Sequence, residues 1–398
     1  MPKPTKSILE IARKEFREKG MIEVPYTLER QCISVGCHIV NLSNLDNKRF
    51  FHAGGLENFR THLVIMGPSG WSKSSMIKFF LSPRLGLLSE APFPTSVRAT
   101  FSPESWMGTI RKKKVGDKKV LVATKGVFSR YKRGIVGADE FMRLKVLADS
   151  ADLATNEETY LLTCLDSDRA TKDLSTGSIE ETDIGTTLWP GMRITRLNTA
   201  SGLIRRFTFQ LIFPTPDLAL RFKQSNRSEQ IKQPISEESK LAIAEEIERI
   251  WDRIHDVDKF NLKVVEGFLN GSLGVPHFDE IIYKRMAIGY SAAVGSLPVI
   301  TLDKTLKEII RDEFIARRII REVPEKEAMY LVISQYEDGI DRRELFEFFK
   351  TYYTMSRAKV KALYLSLATQ DKLIYSKGNK VYANIREEDI PPSYKLKH

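Results

Sequence analysis

MGPSGWSKSS, residues 66–75, has the spacing of a phosphate-binding loop in which one glycine has been replaced. In the pattern G-x-x-x-x-G-K-[ST], Gly67, Lys73 and Ser74 hold their places, and Ser72 stands at the second glycine. The chemistry says which positions tolerate change. Backbone N–H groups of the turn, around Gly67, Gly70 and Ser72, would cradle phosphates; the Lys73 ammonium would reach the outer ones, and the Ser74 hydroxyl, with Ser75 beside it, would face Mg²⁺. A small residue suffices at position 72 if the backbone can still approach its ligand. HLVIM before the loop reads as a buried strand, and SKSSMIKFFL after it carries apolar residues at helical spacing, which is the context the motif needs. A chance glycine turn before a helix is the competing reading of this stretch alone.

The chain has 398 residues, 42% of them hydrophobic, enough for a large core and for two or three domains. No apolar run approaches membrane-spanning length, and MPKPTKSILEIARKEFREKG at the start is a charged helix without a secretory core. A soluble protein of the cytoplasm, or associated with the nucleoid, is expected. Cys32, Cys37 and Cys164 form no CxxC pair, so neither a disulfide framework nor a zinc ribbon is indicated. The formal net charge of +11 is strongly local. Residues 111–133, RKKKVGDKKVLVATKGVFSRYKR, hold ten Lys or Arg against Asp117 alone. Such density is an electrostatic footprint for phosphate backbones, with a solvated surface loop as the alternative.

Strands and helices alternate from about 62 to 213, which predicts an α/β core with a mainly parallel sheet. Residues 21–60 show short β-like runs such as CISVGCHIV, and MRITRLN and FTFQLIF read as later strands. A polar connector follows. Residues 236–322 are mostly helical by pattern, with Ser236 as an N-cap and Glu237 and Glu238 in the first turn. The tail then reads as three helices and a hairpin turning at Lys377, Gly378, Asn379 and Lys380, the layout of a winged helix. The expected divisions are a short N-terminal segment (1–60), an α/β ATPase core (61–225), a helical lid (236–322) and the winged-helix domain (325–386).

A phosphate loop needs a second, acidic site. In GIVGADEFMRL a β-favouring run ends in Asp139-Glu140, so the first carboxylate is placed for a metal and the second for polarising water; a simple helix start is the alternative. Taken together, Gly67, Gly70, Ser72, Lys73 and Ser74 in the order G-x-x-G-x-[small]-K-S resemble the ATPases of the minichromosome maintenance helicases, which belong to the AAA+ class. The resemblance continues in order over roughly residues 60–320. KKVLVATKGVFSRYKRGIVGADEFMRL is similar to that family's helix-2 insertion hairpin and acidic strand, and RATKDLSTGSIEETDIGTT falls where a pre-sensor hairpin is expected.

The resemblance implies further roles. MRITRLNTASG is similar to the sensor-1 strand and would put Asn198 near the outer phosphate. GLIRRF resembles the S-R-F arginine-finger motif, with Arg206 at the arginine and Arg205 at the serine; IIYKRMAIGYSAA resembles the sensor-2 helix through Arg285. ATP and Mg²⁺ are the implied cofactors, Ser74 and Asp139 the metal-side residues, and a ring of six copies the implied assembly. DNA contacts are expected from Lys112, Lys113, Lys114, Lys118 and Lys119 on the first hairpin, Lys172 on the second, and Arg357, Lys377 and Lys380 in the tail. About sixty residues precede the loop, too few for the family's N-terminal DNA-binding domain with its zinc site, and the segment from Asn198 to Arg206 is short. The implied protein is a reduced form such as a mobile element or virus encodes. It would translocate on or unwind DNA; the alternative is an ATP-dependent replication initiator or regulator that binds DNA through its winged helix, with a packaging motor as a third reading.

Overall fold

The computed structural model describes residues 6–47, 58–99, 106, 108–115, 118–141, 156–174, 177–197, 202, 204–225, 234–273, 275, 277–321 and 324–394. Two helices open the chain. α1 (Ile8–Glu18) begins on a capping box, with the Glu10 N–H donating to the Ser7 hydroxyl at 3.3 Å and the Ser7 N–H to the Glu10 carboxylate at 2.8 Å. Donors that a helix start leaves free are thereby paired. α2 (Thr27–Asn47) covers CISVGCHIV, where the sequence predicts short strands. The correction has a physical cause. Residues 27–44 are all buried, so no polar face marks the helical period, and the β-branched residues of a buried helix mimic a strand.

β1 (His62–Met66) leads through α3 (Lys73–Leu81) to β2 (Thr95–Arg98). A hairpin of β3 (Thr109–Val115) and β4 (Lys118–Thr124) and a single turn, α4 (Val127–Arg130), precede β5 (Ile135–Ala138). After α5 (Asn156–Asp166) come a second hairpin, β6 (Ala170–Leu174) and β7 (Gly177–Glu181), then β8 (Thr187–Met192) and β9 (Phe207–Leu211). β2, β5, β8, β1 and β9 form, in that order, a five-stranded sheet that is parallel throughout. The fold is therefore α/β, as the alternation predicts. β8 corrects one detail: the strand is TLWPGM and ends where the sequence reading of MRITRLN begins. Pro190 sits opposite Ala138 in this interior strand, a place where a residue without an N–H removes a ladder bond.

α6 (Pro216–Ser225), α7 (Glu237–Ile254), α8 (Lys263–Phe268), α9 (His277–Ala293) and α10 (Lys304–Arg321) follow. Ser236 does cap α7, accepting the Ser239 N–H at 3.3 Å. α2 and α9 cross at two glycines. A Cβ on Gly36 would lie 2.2 Å from the Gly289 carbonyl, and one on Gly289 would lie 2.3 Å from Cys37 Sγ. Only bare backbone lets these helices meet so closely, so the first helices of the chain and the helices after the sheet share one core. The tail consists of α11 (Pro324–Ile333), β10 (Ile340–Asp341), α12 (Arg342–Tyr352), α13 (Arg357–Leu365), β11 (Ile374–Lys377) and β12 (Lys380–Ala383), the last two joined at Gly378 with φ +63°. Its three strands form an antiparallel sheet in the order β10-β12-β11. Among the described residues no helix is long and apolar enough to cross a membrane.

Two histidines tie α2 and β1 to their neighbours. His38 Nε2 lies 3.1 Å from the Arg133 carbonyl and Nδ1 lies 2.9 Å from the Thr187 hydroxyl; His62 Nε2 lies 3.3 Å from the Leu165 carbonyl, and its Nδ1 accepts the Leu188 N–H at 3.0 Å. A carbonyl on Nε2 demands the N–H there; the Leu188 N–H then makes His62 Nδ1 an acceptor and that ring neutral, and the Thr187 hydroxyl can donate to His38 Nδ1 in the same way. Burial depresses both pKa values, that of His38 to about 3. Because the unfolded chain protonates these rings near pH 6.5, it binds more protons than the fold below that pH. Stability is thus intact above about pH 6.5 and falls as the pH drops towards 3, by up to about 1.4 kcal/mol per unit for each ring. Urea melts between pH 7 and 4 should show this slope, and His38→Gln should remove part of it; an identical slope in the variant would exclude His38 as a source.

Candidate functional site

The connection leaving β1 runs toward β2 at one edge of the sheet, and the connection leaving β8 crosses to β9 at the other. Parallel sheets bind ligands outside the carboxyl ends of strands at such a reversal. Residues 67–72 lie there. The Gly67 N–H donates to the Met192 carbonyl at the end of β8 (3.1 Å), while the Ile212 N–H donates to Met66 (2.7 Å), so both neighbouring strands fix the start of the loop. α3 lies close against the sheet because β5 and β8 carry glycines beneath it: a Cβ on Gly137 would reach 2.3 Å from Ile77, and one on Gly191 would reach 3.3 Å from the same side chain.

The loop backbone is left-handed twice, at Gly70 (φ +82°) and at Ser72 (φ +54°). The missing glycine therefore stands where a glycine's freedom has a use, and Ser72 takes the left-handed conformation at a cost of about 1 kcal/mol. Between them Trp71 is only 6% exposed, edge-on to Phe222 (5.1 Å between centroids) and to Tyr352 of α12 (5.7 Å). Burying an aromatic side chain contributes about 1.5–3 kcal/mol, more than the strain at Ser72.

Lys73 is the first residue of α3. Its Nζ donates to the carbonyls of Gly67 (2.8 Å) and Pro68 (2.6 Å). Burial lowers its pKa to about 8, with Glu140 opposing the shift and Arg193 adding to it. Ser74 is half-buried and Ser75 exposed on the first turn of the helix. At the end of β5, Asp139 pairs with Lys78 of α3 at 3.3 Å, and its other carboxylate oxygen is buried with no hydrogen-bond partner among the described residues. Glu140 is exposed, 3.7 Å from Arg193. The loop and the acidic pair thus meet at one end of the sheet, with α3 joining them. Arg193 is a residue the sequence reading passed over. It directly follows Met192, whose carbonyl holds Gly67, and it borders a cleft of about 510 Å³ with Pro68, Ser69, Tyr352 and Ser356. The signal was present as the first residue beyond a strand neighbouring β1, hidden because the strand was read as starting there.

Other predicted residues lie elsewhere. Asn198 is outside the described residues. Arg206 pairs with Asp166 and donates to the Gly202 carbonyl just before β9, at the amino ends of the strands. Arg285 is half-buried at that same end, donating to the Arg60 carbonyl at 3.4 Å. The five residues of β1 separate Arg60 from the loop by about 16 Å. Arg285, expected from the sensor-2 resemblance, thus lies with Arg206 at the end of the sheet away from its own loop. Lys112, Lys113 and Lys114 stand opposite Leu121, Val120 and Lys119, and Lys118 opposite Val115, in a hairpin that pairs with no other described strand. The turn at 116–117 lies outside the described residues. Lys172 stands opposite Ile179 in the second hairpin, and Arg357, Lys377 and Lys380 are exposed in the tail.

No known family profile matches this chain, and no curated protein sequence matches it. Among the described residues no cluster of three or more His, Cys, Asp or Glu side chains is placed to hold a metal ion by itself. The loop can be tested without knowing its reaction. Lys73 is a cation below pH 8 and loses its charge above it, so ADP affinity measured by calorimetry should be level from pH 6.5 to 7.5 and fall by up to about tenfold per unit beyond pH 8. A level profile to pH 9.5 would mean that Lys73 does not meet the phosphates.

Proposed function

We propose that the chain is an ATPase of the AAA+ type that assembles into a ring and moves on DNA, in the manner of the minichromosome maintenance helicases it resembles. The observation that carries this reading is the meeting of the Gly67–Ser74 loop with Asp139 and Glu140 at the carboxyl end of a parallel sheet. The loop N–H groups and Lys73 would bind the phosphates, which requires the lysine to leave the Gly67 and Pro68 carbonyls. Ser74 and Asp139 would hold Mg²⁺, whose other ligands are ordinarily phosphate and water; the unpartnered buried oxygen of Asp139 fits that use. Bound ATP·Mg²⁺ supplies an activated phosphoanhydride, and Glu140 would orient the attacking water.

Arg206 lies too far along the sheet to serve its own loop. In a closed head-to-tail ring it would act on the neighbour's, so hydrolysis would depend on assembly. The basic hairpin would grip DNA phosphates, and the tail, with its helix, strand, two helices and hairpin, would act as a winged helix under the helical lid of residues 236–322. The exposed Arg357, Lys377 and Lys380 favour a second reading, an ATP-dependent initiator that binds duplex DNA through this tail.

ATPase assays with and without single-stranded and duplex DNA separate the two. Single-strand-stimulated turnover supports the motor, while sequence-specific duplex binding without stimulation supports the initiator. In either case Lys73→Ala should lose nucleotide binding or hydrolysis, and Glu140→Gln should keep ATP bound while turnover falls about 10²- to 10⁴-fold. Wild-type turnover in Glu140→Gln would remove Glu140 from its role. Arg206→Ala should bind nucleotide without hydrolysing it and regain activity when mixed with Lys73→Ala; mixed rings that stay inactive would remove the contribution across subunits. Replacing Lys112, Lys113, Lys114, Lys118 and Lys119 with alanine should flatten the salt dependence of DNA binding, because fewer counterions are released.

A further inference from the structure

The phosphate loop is held on its outer side by the tail. Trp71 is the central residue of the loop, flanked by the two left-handed positions, and it projects away from the sheet into a cluster made by Phe222 of α6 and Tyr352 of α12. Lys223 of α6 lies 5.9 Å from the centre of the Tyr352 ring, so the cluster is closed from behind. The next residue, Tyr353, donates its hydroxyl to the Pro214 carbonyl at 3.2 Å, which pins the end of α12 to the segment that leaves β9. Ser72 makes no side-chain capping bond at the start of α3, so nothing in its own side chain holds the conformation it adopts. The Ser72 carbonyl accepts the Met76 N–H at 2.9 Å, Lys73 binds the carbonyls of Gly67 and Pro68, and the indole beside it is the contact that reaches the tail.

We propose that Trp71 is a positioning residue through which the C-terminal tail sets the phosphate-binding shape of the loop. The inference rests on the reading that this loop binds nucleotide phosphates, and it adds a regulator of that site. Docking of α12 fixes the Trp71 ring, and the fixed ring holds the backbone on both sides of it, so that the N–H groups of the loop converge before the ligand arrives. In the reverse direction, a ligand that draws Lys73 out of its carbonyl contacts must shift the loop against Tyr352. Nucleotide occupancy and the seating of the tail are then two readings of one equilibrium, with reciprocal effects.

The test uses the full chain, with ADP·Mg²⁺ as probe and calorimetry as readout. Tyr352→Ala and Trp71→Ala should each weaken ADP binding at least tenfold while circular dichroism shows the fold intact. Trp71→Phe, which keeps a ring in the cluster, should return the affinity to within threefold of wild type. The double variant should bind no more weakly than either single one, because both remove the same contact. If the alanine variants fail to fold, Tyr352→Leu and Trp71→Leu carry the same comparison. ADP should also change the tryptophan emission of the wild-type protein, and most of that change should vanish in Trp71→Phe. Wild-type affinity in a folded Tyr352→Ala protein, or losses that simply add in the double variant, would overturn the coupling and leave the nucleotide site standing. No ADP binding by the wild-type protein would overturn both.

Discussion

The outer edge of β9 carries main-chain groups that a sixth strand would normally pair, and side chains take that strand's place. The Phe209 N–H donates to the Glu313 carboxylate at 2.8 Å, Arg317 donates to the Phe207 carbonyl, and Tyr394 bonds both the Leu211 carbonyl, at 3.3 Å, and the Phe213 N–H. Glu313 and Arg317 are one turn apart on α10 and pair at 3.0 Å, while Arg30 of α2 pairs with Glu313 and, at 2.9 Å, with Asp312. Asp312 in turn accepts the Ser393 N–H at 3.0 Å. Two carboxylates and two guanidiniums, all buried, balance in charge and join the second helix, the last strand of the sheet, α10 and the C-terminal turn. Removing one member would leave a buried charge uncompensated, which costs far more than the intact group contributes. An exposed edge of this kind would also invite pairing with another chain, and here it is covered.

That closure matters to the site because β9 is the strand against which the loop begins. Ile212 continues β9 and receives Gly67, whose added Cβ would meet the Ile212 side chain at 3.0 Å. A shift of β9 would be felt at the first residue of the loop. α2 supplies the same rigidity from the other side, with polar side chains used as ties between elements. Gln31 donates to the Met76 carbonyl of α3 at 2.9 Å, Ser34 donates to the Thr61 carbonyl at 2.6 Å and accepts from Trp189 of β8 at 2.8 Å, and Asn41 accepts the Phe59 N–H at 3.2 Å. Each of these buried bonds favours one arrangement, since a slip would leave its donor and acceptor unsatisfied.

The sheet was legible in the sequence where strands are short, apolar and bounded by turn signals, as in HLVIM, IVGA and FTFQL. It was illegible in two places, for opposite reasons. α2 is buried all round, so its polar residues follow its partners and not its period. TLWPGM contains the proline and glycine that ordinarily mark a turn, yet both are used within a strand, and the glycine makes room for α3. In both cases the deciding information lies in neighbours distant along the chain, Gly289 for the helix and Ile77 for the strand.

The loop after β1 was readable because a phosphate-loop pattern is a matter of local spacing, and the acidic pair because it ends an apolar strand next but one to β1. Arg285 and Arg206 could not be placed from sequence, since an arginine's surroundings depend on which strand ends gather around it. The one departure from the loop pattern is also its most informative residue. Ser72 contradicts the local rule that a left-handed position takes glycine, and a local conflict that a fold retains has to be held by something outside it. Part of that hold comes from Lys73 and from the Met76 N–H, and part from Trp71, which packs against residues some 150 and 280 positions later in the chain. A loop whose strain is balanced in part from a distant module has a shape that belongs to the whole protein, and under the proposed reading its preference for ligand follows that shape.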